Sequence, residues 1–186
     1  MELIKQAKKR KVKVSADVTP HHLILTDEAV KSFNSNTKMN PPLRTKDDIK
    51  VLLEGLRDGT IDVIVTDHAP HSKEEKEDDF KSAPFGIVGL ETCLALILTE
   101  IVDKKIITLK NAIAKLSANP AKILELNKGI FKKGADADVI IIDPDMKWVI
   151  SADDFAGPSK NSPFIGKEVK GRTIMTIVGG KVVFSY

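Results

Sequence analysis

Thr66-Asp67-His68-Ala69-Pro70-His71 places one carboxylate and two imidazoles within six residues. The segment directly follows the apolar run Ile61-Asp62-Val63-Ile64-Val65, which reads as a strand. In α/β folds chemistry gathers at the C-terminal ends of strands, where the departing loops build the cleft. Asp67 in that position can ligate a hard or borderline cation and can shuttle a proton to or from an attacking water. Its structural alternative is a cap or turn aspartate in Asp-x-Ala-Pro. His68 and His71 can each ligate metal, donate to a substrate carboxylate, or satisfy backbone carbonyls, because neutral imidazole offers one donor and one acceptor. Their spacing does not select among these roles.

Further candidates occur elsewhere along the chain. His21 and His22, the other half of the four histidines, follow a strand-like alternation from Val12 to Val18. Adjacent residues of an extended segment point opposite ways, so at most one of them faces a shared site. Asn40, in Lys38-Met39-Asn40-Pro41-Pro42-Leu43-Arg44, is a carboxamide in a proline-stiffened segment. It offers the donor and acceptor that a cyclic amide or imide edge requires, or else serves as a turn residue before proline. Arg44 is an anion clamp or, more simply, a surface charge. Ala83-Pro84-Phe85-Gly86 would let backbone approach a ligand, since glycine carries no Cβ. There is no His-x-His and no His-Glu-x-x-His, and a hydrolytic metal site needs about three protein ligands.

The elements that must position these residues follow from periodicity. Leu3, Ile4 and Ala7 among lysines predict an amphipathic helix over residues 2–10. Val12, Val14, Ala16 and Val18 alternate with polar residues and predict a strand. Thr45 with Asp48 resembles a capping box ahead of a helix with Ile49, Leu52, Leu53 and Leu56 on one face, stopped by Gly59. The strand over 61–66 is apolar at nearly every position, as in a parallel sheet buried on both faces. The charge run from Ser72 to Asp79 reads as a solvated loop or helix turn. Leu90, Leu94, Ile97 and Ile101 mark one helix face. A further helix starts near Thr108 and is expected to break at Asn119-Pro120. Beyond Gly129 the pattern turns to β: 139–142, 148–150 and 173–178, with Gly179-Gly180 as a two-residue hairpin turn into 182–184. A boundary is expected at about residue 128.

Composition narrows the classes. The 186 residues include 42% hydrophobic and 30% charged positions, with a net charge of +3, as in a globular chain that buries a core. Basic and acidic residues are interspersed, and aromatic content is 5%, which argues against a nucleic-acid partner. The single cysteine, Cys93, excludes an intrachain disulfide and suits a reducing cytoplasm. Its neighbours Leu90, Leu94 and Ile97 assign it to the core. No apolar run is long enough for a membrane span.

Several segments, taken in order, resemble the dihydroorotases of the amidohydrolase superfamily. They are Asp17-Val18-Thr19-Pro20-His21-His22-Leu23, Lys38-Met39-Asn40-Pro41-Pro42-Leu43-Arg44, Thr66-Asp67-His68-Ala69-Pro70-His71 and Pro84-Phe85-Gly86-Ile87-Val88-Gly89-Leu90-Glu91-Thr92. Ser117-Ala118-Asn119-Pro120-Ala121, Gly134-Ala135-Asp136-Ala137-Asp138 and Ser159-Lys160-Asn161-Ser162-Pro163-Phe164-Ile165-Gly166 continue the likeness. The resemblance implies a zinc enzyme of pyrimidine biosynthesis that interconverts N-carbamoyl-L-aspartate and L-dihydroorotate. By resemblance, Asp67 ligates zinc and carries the proton between the attacking water and the ring nitrogen. Asn40, His71 and the backbone at Phe85 and Gly86 match substrate-contacting positions. His71, with a neighbouring arginine, is implied to bind the substrate's carboxylate. The matches at His21, His22 and His68 imply no specific role.

The resemblance also sets expectations for architecture. A (β/α)8 barrel takes about 250 residues, and this sequence supplies two barrel strands. The chain is expected to be the C-terminal part of such a barrel, 1–128, plus part of a small β-sandwich domain, 129–186. The remaining zinc ligands would lie upstream or on a second chain. A homo-oligomer in the cytoplasm is the expected state, with zinc held only in the completed enzyme. The alternative is a non-catalytic dihydroorotase-like scaffold for aspartate transcarbamoylase. The intact set Asp67, Asn40 and His71 weighs against it.

Overall fold

A computed structural model describes residues 1–186. Helices and short parallel strands alternate in the first half, and an antiparallel hairpin closes the chain, so the α/β expectation holds. The chain divides into two compact units. One comprises Met1–Cys93 with Val149–Glu168, the other Leu94–Trp148 with Val169–Tyr186.

The first unit carries the candidate residues. Helix α1 (Glu2–Lys9) leads through an exposed segment to strand β1 (Asp17–Val18), followed by helix α2 (Pro20–Ile24), helix α3 (Lys46–Asp58), strand β2 (Val63–Ile64) and helix α4 (Lys73–Glu77). β1 and β2 pair in parallel with Asp17 opposite Val63 and Val18 opposite Ile64. Both strands are shorter than the alternation predicts. Residues 12–16 are largely exposed, and a strand is recognisable only where a neighbour takes up its backbone groups. The register is nevertheless fixed by backbone bonds from Asp62 N–H to Ala16 O, 2.9 Å, and from Val65 N–H to Val18 O, 3.0 Å. Val18, Leu23, Leu56, Ile61 and Ile64 are among the residues buried here.

α3 forms as its sequence predicts. The Thr45 hydroxyl accepts from Asp48 N–H, and the Asp48 carboxylate accepts from Thr45 N–H at 3.2 Å, a complete capping box. Gly59 ends the helix in the left-handed region. Lys8 of α1 ties this end down. Its ammonium donates to Gly59 O and Thr60 O and pairs with Asp62 at 2.7 Å.

Two local expectations need correction. His21 and His22 lie in α2, not in an extended segment, because Thr19 caps a turn that Pro20 opens; proline is well suited to the first helical position. The charge run is helix α4, with its own capping box between Ser72 and Glu75. One of its lysines, Lys76, is buried at 6% exposure. Cys93 is buried as expected, and burial pushes its thiol up to about 12, so it is inert as a nucleophile.

The second unit begins with the C-terminal half of helix α5 (Leu90–Ile97), which passes into a wide π turn over Leu98–Val102. Helix α6 (Leu109–Ile113) likewise continues through a π turn, Ala114–Ala118, into α7 (Asn119–Ile123). The predicted break at Asn119-Pro120 therefore does not occur. Proline lacks the N–H that a helix interior requires and its ring crowds the preceding turn; the widened turn just before Pro120 relieves both and lets the helix run on. Strand β3 (Val139–Val149) merges two runs read separately from the sequence. The Asp143 carboxylate accepts from Asp145 and Met146 N–H beside Pro144. β3 borders β4 (Glu168–Val178), which pairs antiparallel with β5 (Lys181–Ser185). Gly179 and Gly180 form the expected two-residue turn, with φ of 56° and 78°, the positive values that a type I′ hairpin demands.

Thr45→Ala removes the cap of α3 and should cost about 1 kcal/mol of stability. In urea denaturation the midpoint falls while the slope stays unchanged.

Candidate active site

Asp67 stands where the chain leaves β2. It adopts φ 49°, a left-handed conformation that aspartate tolerates better than most residues. The turn is pinned just beyond it. Ala69 N–H donates to Ile87 O at 2.9 Å, and Gly89 N–H donates to His68 Nδ1 at 3.1 Å. An Nδ1 that accepts leaves the His68 proton on Nε2. Asp67 opens into a groove of about 640 Å³ that it shares with Asp17, His22, Asn40 and Arg44. No donor of this chain reaches its carboxylate.

Asn40, on the opposite segment of the groove, precedes a cis peptide bond to Pro41. His22 holds this segment. Its Nε2 lies 2.9 Å from Pro41 O, and its Nδ1 lies 2.7 Å from the Thr19 hydroxyl. A carbonyl only accepts, so Nε2 carries the proton and Nδ1 accepts from threonine. His22 is thus a bracket between the Thr19 turn and the Asn40 segment. Its neighbour His21 turns inward, with 3% exposure. Burial, reinforced by His22, pushes its pKa down to about 3, and it stays neutral.

His71 lies in a second cavity of about 780 Å³ with His68, Glu75 and Glu91. Its Nε2 donates to Phe85 O at 3.0 Å, and Nδ1 faces Glu75 at 3.7 Å. Phe85 and Gly86 line neither cavity. Gly86 has φ 97°. A Cβ there would stand 2.6 Å from Ala69 Cβ, so the missing side chain makes room for the Asp67 turn. Gly86 N–H donates to Lys38 O, and Gly86 O accepts from Lys76. The structure therefore unites Asp67 with Asn40, places His71 in a separate cavity through the same turn, and uses Phe85 and Gly86 to hold that turn.

Lys38, Lys76 and Asn161 gave no functional signal in the sequence. Lys76 donates to Ser35 O, Pro84 O and Gly86 O at 2.8, 2.9 and 3.2 Å. Burial, with Lys38 nearby, lowers its pKa to about 8. Lys38 donates to Lys81 O and Ala83 O and lies 4.6 Å above the Phe85 ring. A lysine in a charge run looks solvated, and only the fold reveals carbonyls converging on it. Asn161 stood within a recognised motif, but nothing in its spacing marked it.

No three His, Cys, Asp or Glu side chains are gathered closely enough to hold a metal ion. The donors of this chain do not by themselves fit a metal centre, and Asp67 offers one ligand at most.

An α/β scaffold whose unengaged aspartate follows a buried parallel strand defines a class that comparison with known proteins makes specific. Residues 1–183 match the amidohydrolase family, and the chain belongs to it. Among curated relatives it is 51% identical over 185 residues to the dihydroorotase of Endomicrobium trichonymphae and 50% identical over 184 residues to that of Syntrophus aciditrophicus. The matches cover 99% of this chain but 44% and 43% of those proteins, so the chain spans less than half the length of either. Among solved structures, L-hydantoinase (dihydropyrimidinase) from Arthrobacter aurescens superposes with a TM-score of 0.92 at 34% identity, and dihydropyrimidinase from Brevibacillus agri with 0.89 at 27%. Each superposition covers 99% of this chain and 42% of the other.

The buried His21 sets a pH dependence. Its folded pKa, about 3, lies below the ordinary value of about 6.5, so between these values the unfolded chain binds more protons. The stability contribution is complete above about pH 6.5 and is lost as pH falls towards 3. His21→Leu should flatten that part of a plot of urea midpoint against pH; an unchanged slope would show that His21 is not the titrating group.

Proposed function

We propose that this chain is the substrate-holding and proton-carrying part of a dihydroorotase, which interconverts N-carbamoyl-L-aspartate and L-dihydroorotate in pyrimidine biosynthesis. The observation that carries this is Asp67, with no donor of the chain on its carboxylate, in one groove with Asn40. The likeness to curated dihydroorotases supports the same reading.

In the hydrolytic direction, Asp67 accepts a proton from the attacking water and returns it to the ring nitrogen as the ring C–N bond breaks, so the proton count balances. Asn40 supplies a donor and an acceptor to the cyclic amide edge. The family likeness assigns the substrate's carboxylate to His71, a role that requires a proton on Nδ1 because Nε2–H is given to Phe85 O, and the backbone at Phe85 and Gly86 completes the loop beneath it. Zinc, which would polarise the amide carbonyl and acidify the water in the complete enzyme, needs ligands beyond Asp67 from outside the residues described. By the same reading, residues 1–128 belong to a (β/α)8 barrel and 129–186 to a small β domain. The complete protein is a cytoplasmic homo-oligomer. No helix here is long and apolar enough to cross a membrane.

The test measures zinc content and dihydroorotate hydrolysis for this chain alone and for the chain mixed with the remainder of a dihydroorotase relative. Metal and turnover should appear only in the mixture, and Asp67→Asn should lower turnover there by about 10²–10⁴-fold, the usual worth of general acid–base catalysis. A folded mixture that neither binds zinc nor turns over would refute the proposal. Tight zinc in the chain alone would contradict the ligand assignment.

A further inference from the structure

Asn161 lies ninety residues after His71 in sequence, yet its carboxamide sits between the two loops that carry the candidate residues. It is 5% exposed. Its Oδ1 accepts from His71 N–H at 3.2 Å, while its Nδ2 donates to Ala69 O at 2.9 Å and to Gly86 O at 3.3 Å. Its own backbone O accepts from Val88 N–H at 3.0 Å. Only an amide has an acceptor and two donors at one planar end, so the three side-chain bonds leave one orientation of the group. The peptide around it is held firmly. Phe155 and Phe164 are buried at 4% and 3% exposure, Lys160 Nζ donates to Phe155 O at 2.8 Å, and the buried Ser162 hydroxyl accepts from Phe164 N–H at 3.2 Å.

The partners of this amide belong to the candidate site. Ala69 and His71 follow Asp67 in its turn. Gly86 follows Phe85, whose carbonyl accepts from His71 Nε2. The loops share few other polar links, chiefly Ala69 N–H to Ile87 O and Gly89 N–H to His68 Nδ1. We propose that Asn161 is a positioning residue that sets His71 and the Phe85–Gly86 backbone at a fixed separation, and so determines how tightly the substrate's carboxylate is held. It touches no reacting atom. Its kinetic consequence rests on the dihydroorotase reading, whereas its hold on the two loops does not.

The experiment uses the mixture of this chain with the remainder of a dihydroorotase relative. For Asn161→Ala, KM for dihydroorotate should rise about tenfold or more while kcat stays within about threefold, because misplacing a binding group weakens ground-state and transition-state binding together. Amide hydrogen exchange at His71, followed by NMR, should accelerate at least about tenfold with its acceptor gone. Exchange at Val88, which bonds the backbone of Asn161, should not change. A general loss of structure would speed both amides, so the contrast separates positioning from mere stability.

Asn161→Asp supplies the second test and serves alone if the alanine variant does not fold. It keeps the shape and the acceptor for His71 N–H but loses both donors. His71 should stay protected while KM still rises, since a carboxylate then faces the Ala69 and Gly86 carbonyls. An unchanged KM in an active mixture, with either variant, would overturn the proposal. So would unchanged His71 exchange in Asn161→Ala. If the mixture with wild-type chain is itself inactive, the dihydroorotase reading has failed, and the exchange contrast alone decides whether Asn161 positions the loops.

Discussion

Backbone carbonyls buried without a strand partner are the constraint on which this arrangement depends. The segment from Lys81 to Gly86 passes beneath the Asp67 turn outside any regular element, so its carbonyls have no ladder or helix to accept into. An unpaired buried carbonyl costs about 1–3 kcal/mol; the bonds to Gly86 O and Ser35 O are buried here, those to Ala83 O and Pro84 O partly so, and that to Lys81 O is exposed. Two ammonium groups and one carboxamide meet them: Lys38 takes Lys81 and Ala83, Lys76 takes Pro84 and Gly86, and Asn161 also takes Gly86. Lys76 has no carboxylate partner. Its charge is solvated by carbonyl dipoles, with a third supplied by Ser35, and Ser35 in turn donates its hydroxyl to Lys76 O. The exchange makes the 35–38 segment and the 72–86 segment one body, and it explains why a charged side chain in a lysine- and glutamate-rich helix is buried.

What was legible in the sequence is what short-range chemistry decides. Thr45 and Asp48 specify a helix start by reciprocal bonds within four residues, and the hairpin at Gly179-Gly180 needs only two residues that tolerate positive φ. Both were read correctly. The strands over 12–18 and 61–66 were read too long because alternation reports a tendency, whereas pairing is made residue by residue with a neighbour. The Asn119-Pro120 break failed for a related reason. Proline's conflict with a helix is real, but a π turn absorbs it, and no local pattern announces that turn. His21 and His22 were misread through the same strand, since the helix that Thr19 caps replaces alternation with a turn and sends His21 into the core.

The candidate site was legible in part. The motif around Asp67 and the proline-stiffened Asn40 pointed to a groove because both flank strand ends or turns, and the structure places them in one cavity. The framework that supports them was hidden. Lys38 and Asn161 act on backbone groups more than forty residues away and Lys76 on groups 8, 10 and 41 residues away, and a side chain that bonds a carbonyl needs no particular residue type at the other end. Such a contact leaves no paired signature to find.

The three histidines outside the core share one principle. His22 gives a ring nitrogen to Pro41 O, His71 gives one to Phe85 O, and His68 receives Gly89 N–H. Each spends one nitrogen on the backbone and thereby fixes both its tautomer and its ring plane. A histidine committed in this way is a good directional element, since its second nitrogen has only one place to point; a backbone bond of this kind also orients metal-ligating histidines. In this chain no three ligating side chains converge. In the groove that Asp67 shares with Asn40 and Asp17, no donor of the chain occupies the Asp67 carboxylate, so its lone pairs stay open to a group from outside.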